Sequence, residues 1–371
     1  MNIRDLATPS FLLDLDVFEA NLRDMAAMCG RAGVELWPMV KTHKSTVIAR
    51  WQKEAGAAGF LTGTLDEAEQ LAAAGFADLT LAYPVAGRAN IDRIIALARR
   101  ARITVSLDGI AAARALAAAL AGAGLEIDYL IIIDSGLHRF GVPPHQAAEL
   151  AAALSGYKKL RLRGVATHPG QVYGAGDREG VAAAAAAEVA ALAQAREVLL
   201  SHGFAVDTVA AGSTPTAAAA AASGVVTALR PGNYVFYDNT QVALGVVPPA
   251  RCALAVLATV LSRPRPDTLI IDAGSKCLGL DKGAHGSSLL AGFGLVAGHP
   301  ELTVAGLSEE VGRVAITGET GLDVGDKLAV IPNHACAAAN LTGWLIGHRQ
   351  GNTECAIPID MRGNSRLPAT F

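Results

Sequence analysis

A unit made of a short β-rich run, a loop and a helical segment repeats along the first 240 residues of the chain. The β-rich runs cover residues 34–40, 57–63, 78–84, 102–107, 127–134, 160–168, 206–212 and 225–229, and alanine-rich helical patterns lie between them. Eight alternations of strand and helix predict an α/β fold, a (β/α)8 TIM barrel. The runs are mostly apolar, as expected for parallel strands that are covered on both faces. A doubly wound open sheet is the main alternative, but the GxGxxG turn typical of it does not follow an early strand.

The pattern changes after Tyr237. Short runs at residues 253–261, 268–272, 312–317 and 327–331 are broken by Gly, Pro and Asp, without long helices between them. This pattern of short runs predicts a C-terminal, mostly β domain. We therefore expect two domains, residues 1–240 and 241–371. A further apolar strand at residues 11–15 precedes the first helical pattern and is compatible with pairing in either domain.

Composition argues against several classes of partner. The net charge of -3 and the isoelectric point near 6.3 give no electrostatic basis for binding nucleic acid or an anionic membrane. No apolar run reaches membrane-spanning length without charges or glycines, and the N-terminus lacks the apolar core of a signal peptide. The five cysteines form no CxxC motif, which is typical of a reducing compartment. We expect a soluble cytoplasmic protein.

The stretch at residues 37–45, Trp-Pro-Met-Val-Lys-Thr-His-Lys-Ser, begins as an apolar strand and ends in a basic cluster. It places Lys41 where the first barrel strand gives way to a loop. We expect an amine at a buried strand end to be partly desolvated, which lowers its pKa toward the range in which it attacks a carbonyl or holds a Schiff base. The alternative is that Lys41, His43 and Lys44 only mark a solvated strand end.

Polar side chains also follow later strands, and the C-terminal ends of the strands carry the functional groups of this fold. Arg139 follows the fifth strand, and His168 and Tyr173 follow the sixth. Gly-Ser-Thr-Pro-Thr at residues 212–216 follows the seventh strand, and Arg-Pro-Gly-Asn-Tyr at residues 230–234 follows the eighth. Glycines that admit close backbone approach, hydroxyl donors and a helix expected directly after Ser213 are suited to a phosphate.

Each of these loops also has a purely structural explanation, since Gly-Ser-Thr-Pro is a common helix start and Arg-Pro-Gly-Asn a common turn. In combination, a strand-end lysine and phosphate-binding loops at the same end of one barrel indicate a cofactor that carries both an aldehyde and a phosphate. We therefore predict pyridoxal phosphate as the cofactor.

The predicted β domain contains a His-x-Cys pair, His334 and Cys336, after a probable strand. In a strand or a strand-end loop, both side chains lie on the same side, where they can share one soft or borderline ion such as zinc. Two protein ligands leave positions for water and substrate. The alternative is a buried cysteine beside a loop histidine. The sequence leaves open whether further histidines, His43, His168, His285 and His299, join this pair.

Taken together, the motifs of this chain resemble the D-threonine aldolase and D-serine dehydratase family, which has the fold type of alanine racemase. The resemblance covers nearly the whole length and rests on residues 8–15, 40–44, 63–68, 138–139, 229–234, 307–310 and 332–336. It implies an alanine-racemase-like barrel that binds pyridoxal phosphate and a β domain that carries a divalent metal, zinc or manganese. It also implies a homodimer whose active sites lie between domains of opposite subunits.

The resemblance also implies roles for single residues. Lys41 matches the Schiff-base lysine, Arg139 the arginine near the phenolic oxygen of the cofactor, and Arg230 the arginine that faces the pyridine nitrogen in alanine racemase. The positions that match phosphate-binding residues are Ser213, Thr214, Gly232 and Asn233. His334 and Cys336 match the metal ligands. Two departures concern the site: Trp37 and Met39 stand where many members have Arg and His, and Cys336 stands where the best-known D-threonine aldolases have aspartate.

The predicted reaction is cleavage of a β-hydroxy-D-amino acid to glycine and an aldehyde. Its alternative is dehydration of D-serine or 3-hydroxy-D-aspartate to a 2-oxo acid and ammonia. Lys41, His168 and Tyr173 are the candidate catalytic residues, with Tyr173 also a candidate cofactor contact and a buried structural role the alternative for His168. A racemase is disfavoured because the second base it needs is usually a tyrosine of the β domain, and no tyrosine follows Tyr237. A non-catalytic barrel that binds pyridoxal phosphate has no use for the second domain.

Overall fold

The computed structural model describes residues 1–283 and 287–363. The strands, in chain order, are β1 (Ser10–Asp14), β2 (Glu35–Leu36), β3 (Phe60–Thr62), β4 (Asp78–Leu81), β5 (Arg102–Leu107), β6 (Ile127–Ile132), β7 (Leu160–Ala166), β8 (Thr208–Ala211), β9 (Ala228–Leu229), β10 (Leu254–Arg265), β11 (Thr268–Ile271), β12 (Leu295–Val296), β13 (Leu302–Leu307), β14 (Gly312–Ile316), β15 (Lys327–Ile331), β16 (Trp344–Arg349) and β17 (Asn352–Pro358). The α-helices are α1 (Leu15–Ala32), α2 (Thr46–Glu54), α3 (Leu65–Ala73), α4 (Arg88–Ala98), α5 (Ile110–Ala123), α6 (Ala147–Leu154), α7 (Arg178–Ser201), α8 (Ala217–Ala221), α9 (Asn239–Ala243), α10 (Ser275–Leu278) and α11 (Ala335–Ala339).

The chain divides into two compact units. The sheet unit contains residues 1–25 and 172–181 and the described residues of 233–359, and the barrel unit contains residues 26–171 and 182–232 and the described residues from Asp360 onward. The domain boundary near residue 240 stays a prediction. In the described part of the chain, no helix combines the length and the apolarity that a membrane span needs.

The barrel unit contains eight parallel strands in the order β2-β9-β8-β7-β6-β5-β4-β3. A parallel bridge between Met39 and Leu61 joins the two ends of this order, since Met39 follows β2 and Leu61 lies in β3. Helices connect the strands, as parallel pairing requires. The predicted α/β fold with a (β/α)8 TIM barrel is confirmed.

The barrel helices bury one face against the strands. In α5 the buried residues are Ala113, Leu116, Ala117 and Leu120, whose spacing of three and four residues places them on one side of a helix. Fully burying each of these leucines contributes roughly 2 kcal/mol. Gly124, with φ of 68°, ends the helix in the left-handed conformation that glycine adopts without strain.

Since the eight strands are parallel, their C-terminal ends lie at one end of the barrel, which we call the rim. The residues that follow these strand ends and are used below are Lys41, Gly63, Tyr83, Asp134, Thr167, Gly212 and Arg230. The sequence places chemically active side chains at this rim, as the fold requires for a functional site.

The sheet unit contains a sheet of nine strands in the order β11-β14-β13-β12-β15-β10-β1-β16-β17. The pairs are antiparallel except for β1 with β16. The early strand β1 pairs antiparallel with β10 and parallel with β16, so the apolar run near the N-terminus is part of this sheet. The predicted mostly β domain in the C-terminal part of the chain is confirmed.

Candidate active site

Lys41 lies in a short 3-10 turn, Val40–Thr42, directly after the first barrel strand. Val40 and Thr42 are buried, whereas the side chain of Lys41 is exposed. The expectation that its amine is partly desolvated is therefore wrong. The reason is local, because the two neighbours of Lys41 in this tight turn face the core and the lysine between them faces solvent.

A buried ion pair supports the strand end beside Lys41. Lys44 Nζ lies 2.5 Å from Oε1 of Glu67, and Glu67 Oε2 accepts a hydrogen bond from the amide of Gly63 at 2.6 Å. A Cβ atom on Gly63 would lie 3.4 Å from Cβ of Lys41, in ordinary van der Waals contact. The ion pair of Lys44 and Glu67 thus holds the backbone of Gly63, which borders Lys41.

His43 is fully buried in the barrel unit and is a structural residue there. Its Nε2 lies 3.1 Å from Oε1 of Gln52, and its Nδ1 accepts the amide hydrogen of Ser45. Burial lowers the pKa of His43 from its ordinary value of 6.5 to about 3. Both ring nitrogens have protein partners, so neither is free to bind a metal ion.

His168, at the end of β7, is held in one tautomer. Its Nδ1 donates to the carbonyl oxygen of Gly212 over 3.1 Å, so Nε2 is the nitrogen without a proton. Burial lowers the pKa of His168 to about 3, and the positive charges of Lys41, Arg139 and Arg230 lower it further while the Gly212 bond opposes them. The imidazole is therefore neutral near pH 7, with its lone pair on Nε2.

Arg139 and Tyr83 meet at Phe140 on the rim. The guanidinium of Arg139 lies over the Phe140 ring at 5.4 Å, and the Tyr83 ring stacks on Phe140 with centroids 5.8 Å apart. The Tyr83 hydroxyl donates to the carbonyl oxygen of Gly63. Sequence reasoning missed Tyr83 and Phe140, because loop aromatics carry no signal until their stacking partner is known.

Arg230 is a buried guanidinium with spare donors. Its Nη2 donates to the carbonyl oxygen of Thr167, while Nε and Nη1 have no partner among the described residues. Burial lowers the pKa of Arg230 to about 10. Arg230 lines a cavity with Arg139 and His168, and further lining residues are Asp134, Ser135 and Phe140. Buried donors require an acceptor, so these guanidinium nitrogens suit a ligand with acceptor atoms, as pyridoxal phosphate has.

The two loops predicted to bind phosphate are closely packed. Ser213 and Thr214 are buried, and a Cβ atom on Gly212 would lie 2.9 Å from Arg230 backbone, while one on Gly232 would lie 2.8 Å from Oγ1 of Thr42. Only glycine fits such close approaches. The helix expected directly after Ser213 instead begins at Ala217 and has five residues, so the expected helix N-terminus is not available for a phosphate.

Glu188 lies beneath these loops and was not predicted. It is fully buried in the middle of the alanine-rich helix α7. Its carboxylate accepts hydrogen bonds from the Thr167 hydroxyl, the Gly212 amide and the Thr216 hydroxyl. The only sequence signal is a single acid within an alanine run, which equally describes a solvated helix position.

In the sheet unit, His334 and Cys336 lie at the start of helix α11. His334 is the N-cap residue and Cys336 is in the first turn, so the expected placement in a strand or strand-end loop is wrong for Cys336. Nδ1 of His334 lies 2.5 Å from Oδ2 of Asp281. Burial would lower the pKa of His334, but hydrogen bonds with Asp281 and Cys336 raise it to about 11. The two side chains are within hydrogen-bonding reach of each other.

Asp238 organises the backbone around the His-x-Cys pair. Its Oδ2 accepts hydrogen bonds from Nδ2 of Asn233 at 2.6 Å and from the amide of Ala335 at 2.9 Å. Its Oδ1 accepts the amide hydrogen of Gln241 and caps α9. Nδ2 of Asn233 also lies 3.9 Å from Sγ of Cys336. Asn233, a predicted phosphate-binding residue, belongs to the sheet unit, and its side-chain amide nitrogen donates to Asp238.

Tyr173 lies near the same pair. Burial raises the pKa of its phenol, and the charges of Cys336 and Asp238 raise it further while a hydrogen bond with Gln241 opposes them.

In residues 1–283 and 287–363, no group of three or more His, Cys, Asp and Glu side chains is arranged to hold a metal ion. The chain offers one nitrogen and one sulfur donor, a set that suits a borderline ion.

His285 and His299 are the remaining histidines that the sequence leaves open as additional ligands. Nδ1 of His299 lies 3.0 Å from Oε1 of Glu301, so this side chain already has a carboxylate partner. His285 lies outside the described residues.

Comparison with known proteins decides the family. Residues 13–240 match the family described as alanine racemase, N-terminal domain, and residues 253–348 match a serine dehydratase domain. A D-threonine aldolase from Arthrobacter sp is 34% identical over 97% of this chain and 93% of the aldolase. The chain belongs to the D-threonine aldolase and D-serine dehydratase family. The predicted family and its class, pyridoxal-phosphate-dependent lyases, are confirmed.

Other members resemble the chain over a similar length. A D-threo-3-hydroxyaspartate dehydratase from Delftia sp. (strain HT23) is 35% identical over 90% of this chain and 91% of the dehydratase. The crystal structure of D-threonine aldolase from Filomicrobium marinum has a TM-score of 0.90 at 32% identity, covering 97% of this chain and 96% of the aldolase. Solved variants of a D-threo-3-hydroxyaspartate dehydratase include a cysteine-to-alanine mutant in the metal-free form and a mutant with histidine changed to alanine two positions earlier.

Proposed function

We propose that this protein is a pyridoxal-phosphate- and divalent-metal-dependent lyase that cleaves β-hydroxy-D-amino acids to glycine and an aldehyde. The observation that carries the proposal is the cavity lined by His168, Arg139 and Arg230, with two nitrogens of the buried guanidinium, Nε and Nη1, without a partner among the described residues. Near-full-length identity of 34% to a D-threonine aldolase supports a lyase of this kind.

Each predicted cofactor-binding residue has a proposed task. The cofactor, when bound, supplies an electron sink for charge that develops at Cα of the substrate. Lys41 would hold the cofactor's aldehyde through its amine, and Arg230 would donate from Nε and Nη1 to acceptor atoms. Ser213 and Thr214 offer hydroxyl groups to the phosphate, with Gly232 admitting close approach and Asn233 a further candidate. Arg139 would interact with the phenolic oxygen, as the resemblance implies.

His168 and Tyr173 are the proposed groups for proton transfer. His168 is neutral, and its bond to Gly212 leaves Nε2 as the basic nitrogen. A neutral imidazole can take a proton from a substrate hydroxyl without first losing one. Tyr173 keeps its phenol proton at neutral pH because burial raises the phenol pKa, so it serves as a hydrogen-bond donor or an acid rather than as a base.

We propose that His334 and Cys336 bind the divalent metal, zinc or manganese. Asp281 takes Nδ1 of His334 and leaves Nε2 as the ligand atom, a common arrangement of metal-binding histidines. A bound metal lowers the pKa of a hydroxyl group that it coordinates. The two dehydratase variants, with changes at a cysteine and at a histidine two positions earlier, support the same pair here.

Dehydration to a 2-oxo acid and ammonia is the second candidate reaction. It is favoured by Cys336, since cysteine stands at this position in D-serine dehydratases and aspartate in the best-known D-threonine aldolases. The 35% identity to a D-threo-3-hydroxyaspartate dehydratase supports it as well. The two reactions differ in whether the Cα–Cβ bond or the Cβ–O bond breaks.

The deciding experiment is product analysis with purified protein. D-threonine, D-serine and 3-hydroxy-D-aspartate are each supplied with and without a chelator, and glycine, aldehyde, 2-oxo acid and ammonia are measured. Glycine with an aldehyde establishes the aldolase, and a 2-oxo acid with ammonia establishes the dehydratase. If no substrate gives either pair of products while the visible cofactor absorbance is present, the proposed lyase activity is overturned.

We also propose that the protein is a homodimer and that it works in the cytoplasm. The first proposal rests on the resemblance to the family, and the second on the five scattered cysteines, which form no CxxC motif. Light scattering coupled to size-exclusion chromatography measures the oligomeric state, and a monomer mass would contradict the dimer.

A further inference from the structure

Glu188 is an acid buried completely within the barrel unit, and both of its carboxylate oxygens are used. Oε1 accepts the Thr167 hydroxyl at 2.7 Å and the Gly212 amide at 2.8 Å. Oε2 accepts the Thr216 hydroxyl at 2.8 Å. These three partners come from the end of β7, the residue after β8 and the residue before α8. One side chain therefore joins three segments of the rim.

Each partner of Glu188 leads on to a residue proposed to contact the cofactor or to transfer a proton. The carbonyl oxygen of Thr167 accepts from Arg230, and the carbonyl oxygen of Gly212 accepts from His168. Oγ1 of Thr216 lies 3.3 Å from Oγ of Ser213. Movement of Glu188 would thus shift an arginine, a histidine and a phosphate-loop hydroxyl together.

The burial of Glu188 needs an explanation beyond stability. Burial raises its pKa, which shows that the environment penalises the charge, and the three hydrogen bonds and Arg230 offset that penalty. Glu67, the other glutamate buried fully, also accepts the amide of a glycine that follows a strand, but it is neutralised by Lys44. Glu188 is held by hydroxyl and amide donors of the phosphate loops instead, and an apolar residue would fill an alanine-rich helix at lower cost.

We propose that Glu188 is a positioning residue for the phosphate of the cofactor. By fixing Gly212 and Thr216 at both ends of the loop at residues 212–216, it holds the Ser213 and Thr214 groups where they meet the phosphate. Its effect is therefore on the part of the binding free energy that the phosphate contributes. This inference rests on the proposed function, since it presumes that pyridoxal phosphate binds at this rim.

The test compares two ligands that differ only in the phosphate. Cofactor-free protein is titrated with pyridoxal phosphate and with pyridoxal. The readout is the ratio of the dissociation constant for pyridoxal to that for pyridoxal phosphate, which measures the preference for the phosphate. We expect Glu188→Ala to lower this ratio at least about tenfold, because the two hydrogen bonds to the loop and the one to Thr167 are lost. Glu188→Gln should keep the ratio within about threefold of wild type, since its amide can accept from Thr167 and Gly212 and donate to Thr216.

Glu67→Ala is the matched control. It removes an equally buried glutamate that also accepts a glycine amide, and we expect it to weaken both ligands alike, so that the ratio stays within about threefold of wild type. Should either alanine variant fail to fold by circular dichroism, Thr216→Val and Thr62→Val replace the pair. Thr62 is a buried threonine at a strand end whose hydroxyl donates to the carbonyl oxygen of Thr80.

The outcomes separate this inference from the proposed function. Wild-type protein that shows no preference for pyridoxal phosphate over pyridoxal would overturn both. A clear wild-type preference that Glu188→Ala and Thr216→Val leave unchanged would overturn the role of Glu188 alone. If the ratio falls equally in the Glu67→Ala control, loss of any buried glutamate is enough to lower it. This result would also overturn the proposed role of Glu188.

Discussion

The ammonium of Lys44 lies 2.5 Å from Oε1 of Glu67, and the two side chains are only 10% and 0% exposed. Glu67 also takes the amide of Gly63, whose backbone borders Lys41. The pair therefore couples the stability of the barrel to the position of the lysine proposed to hold the cofactor. Removing one partner leaves the other as an uncompensated buried charge, which is far more costly than removing both.

Lys44→Met should lower the free energy of unfolding by about 3–5 kcal/mol, because Glu67 loses its counter-charge. The double variant Lys44→Met, Glu67→Gln should recover part of that loss, since no buried charge remains. Urea unfolding at neutral pH followed by circular dichroism measures both. Lys158→Met, in the exposed turn between α6 and β7, is the control and should stay within roughly 0.5 kcal/mol of wild type. A Lys44 variant as stable as this control would contradict the prediction.

The stability of the fold should fall as the pH drops below about 6.5. The pKa of His43 is lowered from 6.5 to about 3, so between these values the unfolded chain binds a proton that the folded chain does not. Above 6.5 neither state binds the proton, and the contribution of His43 no longer depends on pH. We expect His43→Gln to flatten this part of the profile, measured as unfolding midpoints from pH 7 down to pH 4. The rest of the slope should persist, because the pKa of His168 is lowered in the same way.

Much of the barrel could be predicted because its information is local. Each apolar run is a strand that is buried on both faces, and parallel strands bring their ends to one rim whatever the loops do. Lys41, Arg139, His168 and Arg230 follow strand ends in the sequence, so their common location required no knowledge of side-chain packing.

The unpredicted features depend on contacts between distant parts of the chain. Glu188 is separated from Thr167 and Gly212 by 21 and 24 residues, so the local sequence of this alanine-rich helix does not predict its burial. The placement of Cys336 in a helix rather than a loop depends on Asp238, which accepts the amide of Ala335 from 97 residues away. The exposure of Lys41 follows from the geometry of one turn, which hydrophobic patterning does not resolve.

Lys41→Ala should abolish the visible absorbance of the bound cofactor, because no other amine occupies this position at the rim. Pyridoxal phosphate would then bind only through its phosphate and ring contacts. Lys158→Ala, which removes an exposed lysine of the same unit, should keep the absorbance. A spectrum of the Lys41 variant identical to that of wild type would remove this lysine from the proposed function.

Cys336→Ala should lower the metal content and the activity together, because the thiolate is one of only two proposed protein ligands. Elemental analysis by mass spectrometry, with activity measured on the same preparation, provides the test. Cys355→Ala removes an exposed cysteine and is expected to change neither quantity. Full metal content in the Cys336 variant would place the metal elsewhere.

Asp281→Ala should weaken metal binding by about 10–100-fold while leaving both proposed ligands in place. Asp281 Oδ2 lies 2.5 Å from Nδ1 of His334 and fixes the ring so that Nε2 is presented as a donor. Without this carboxylate the ring can rotate and either nitrogen can carry the proton, so binding must select one arrangement. Asp281→Asn retains an acceptor for Nδ1 and should lose less affinity. Competition with a zinc chelator measures the affinity, Asp5→Ala at an exposed position is the control, and equal affinities in all three variants would show that Asp281 does not orient a metal ligand.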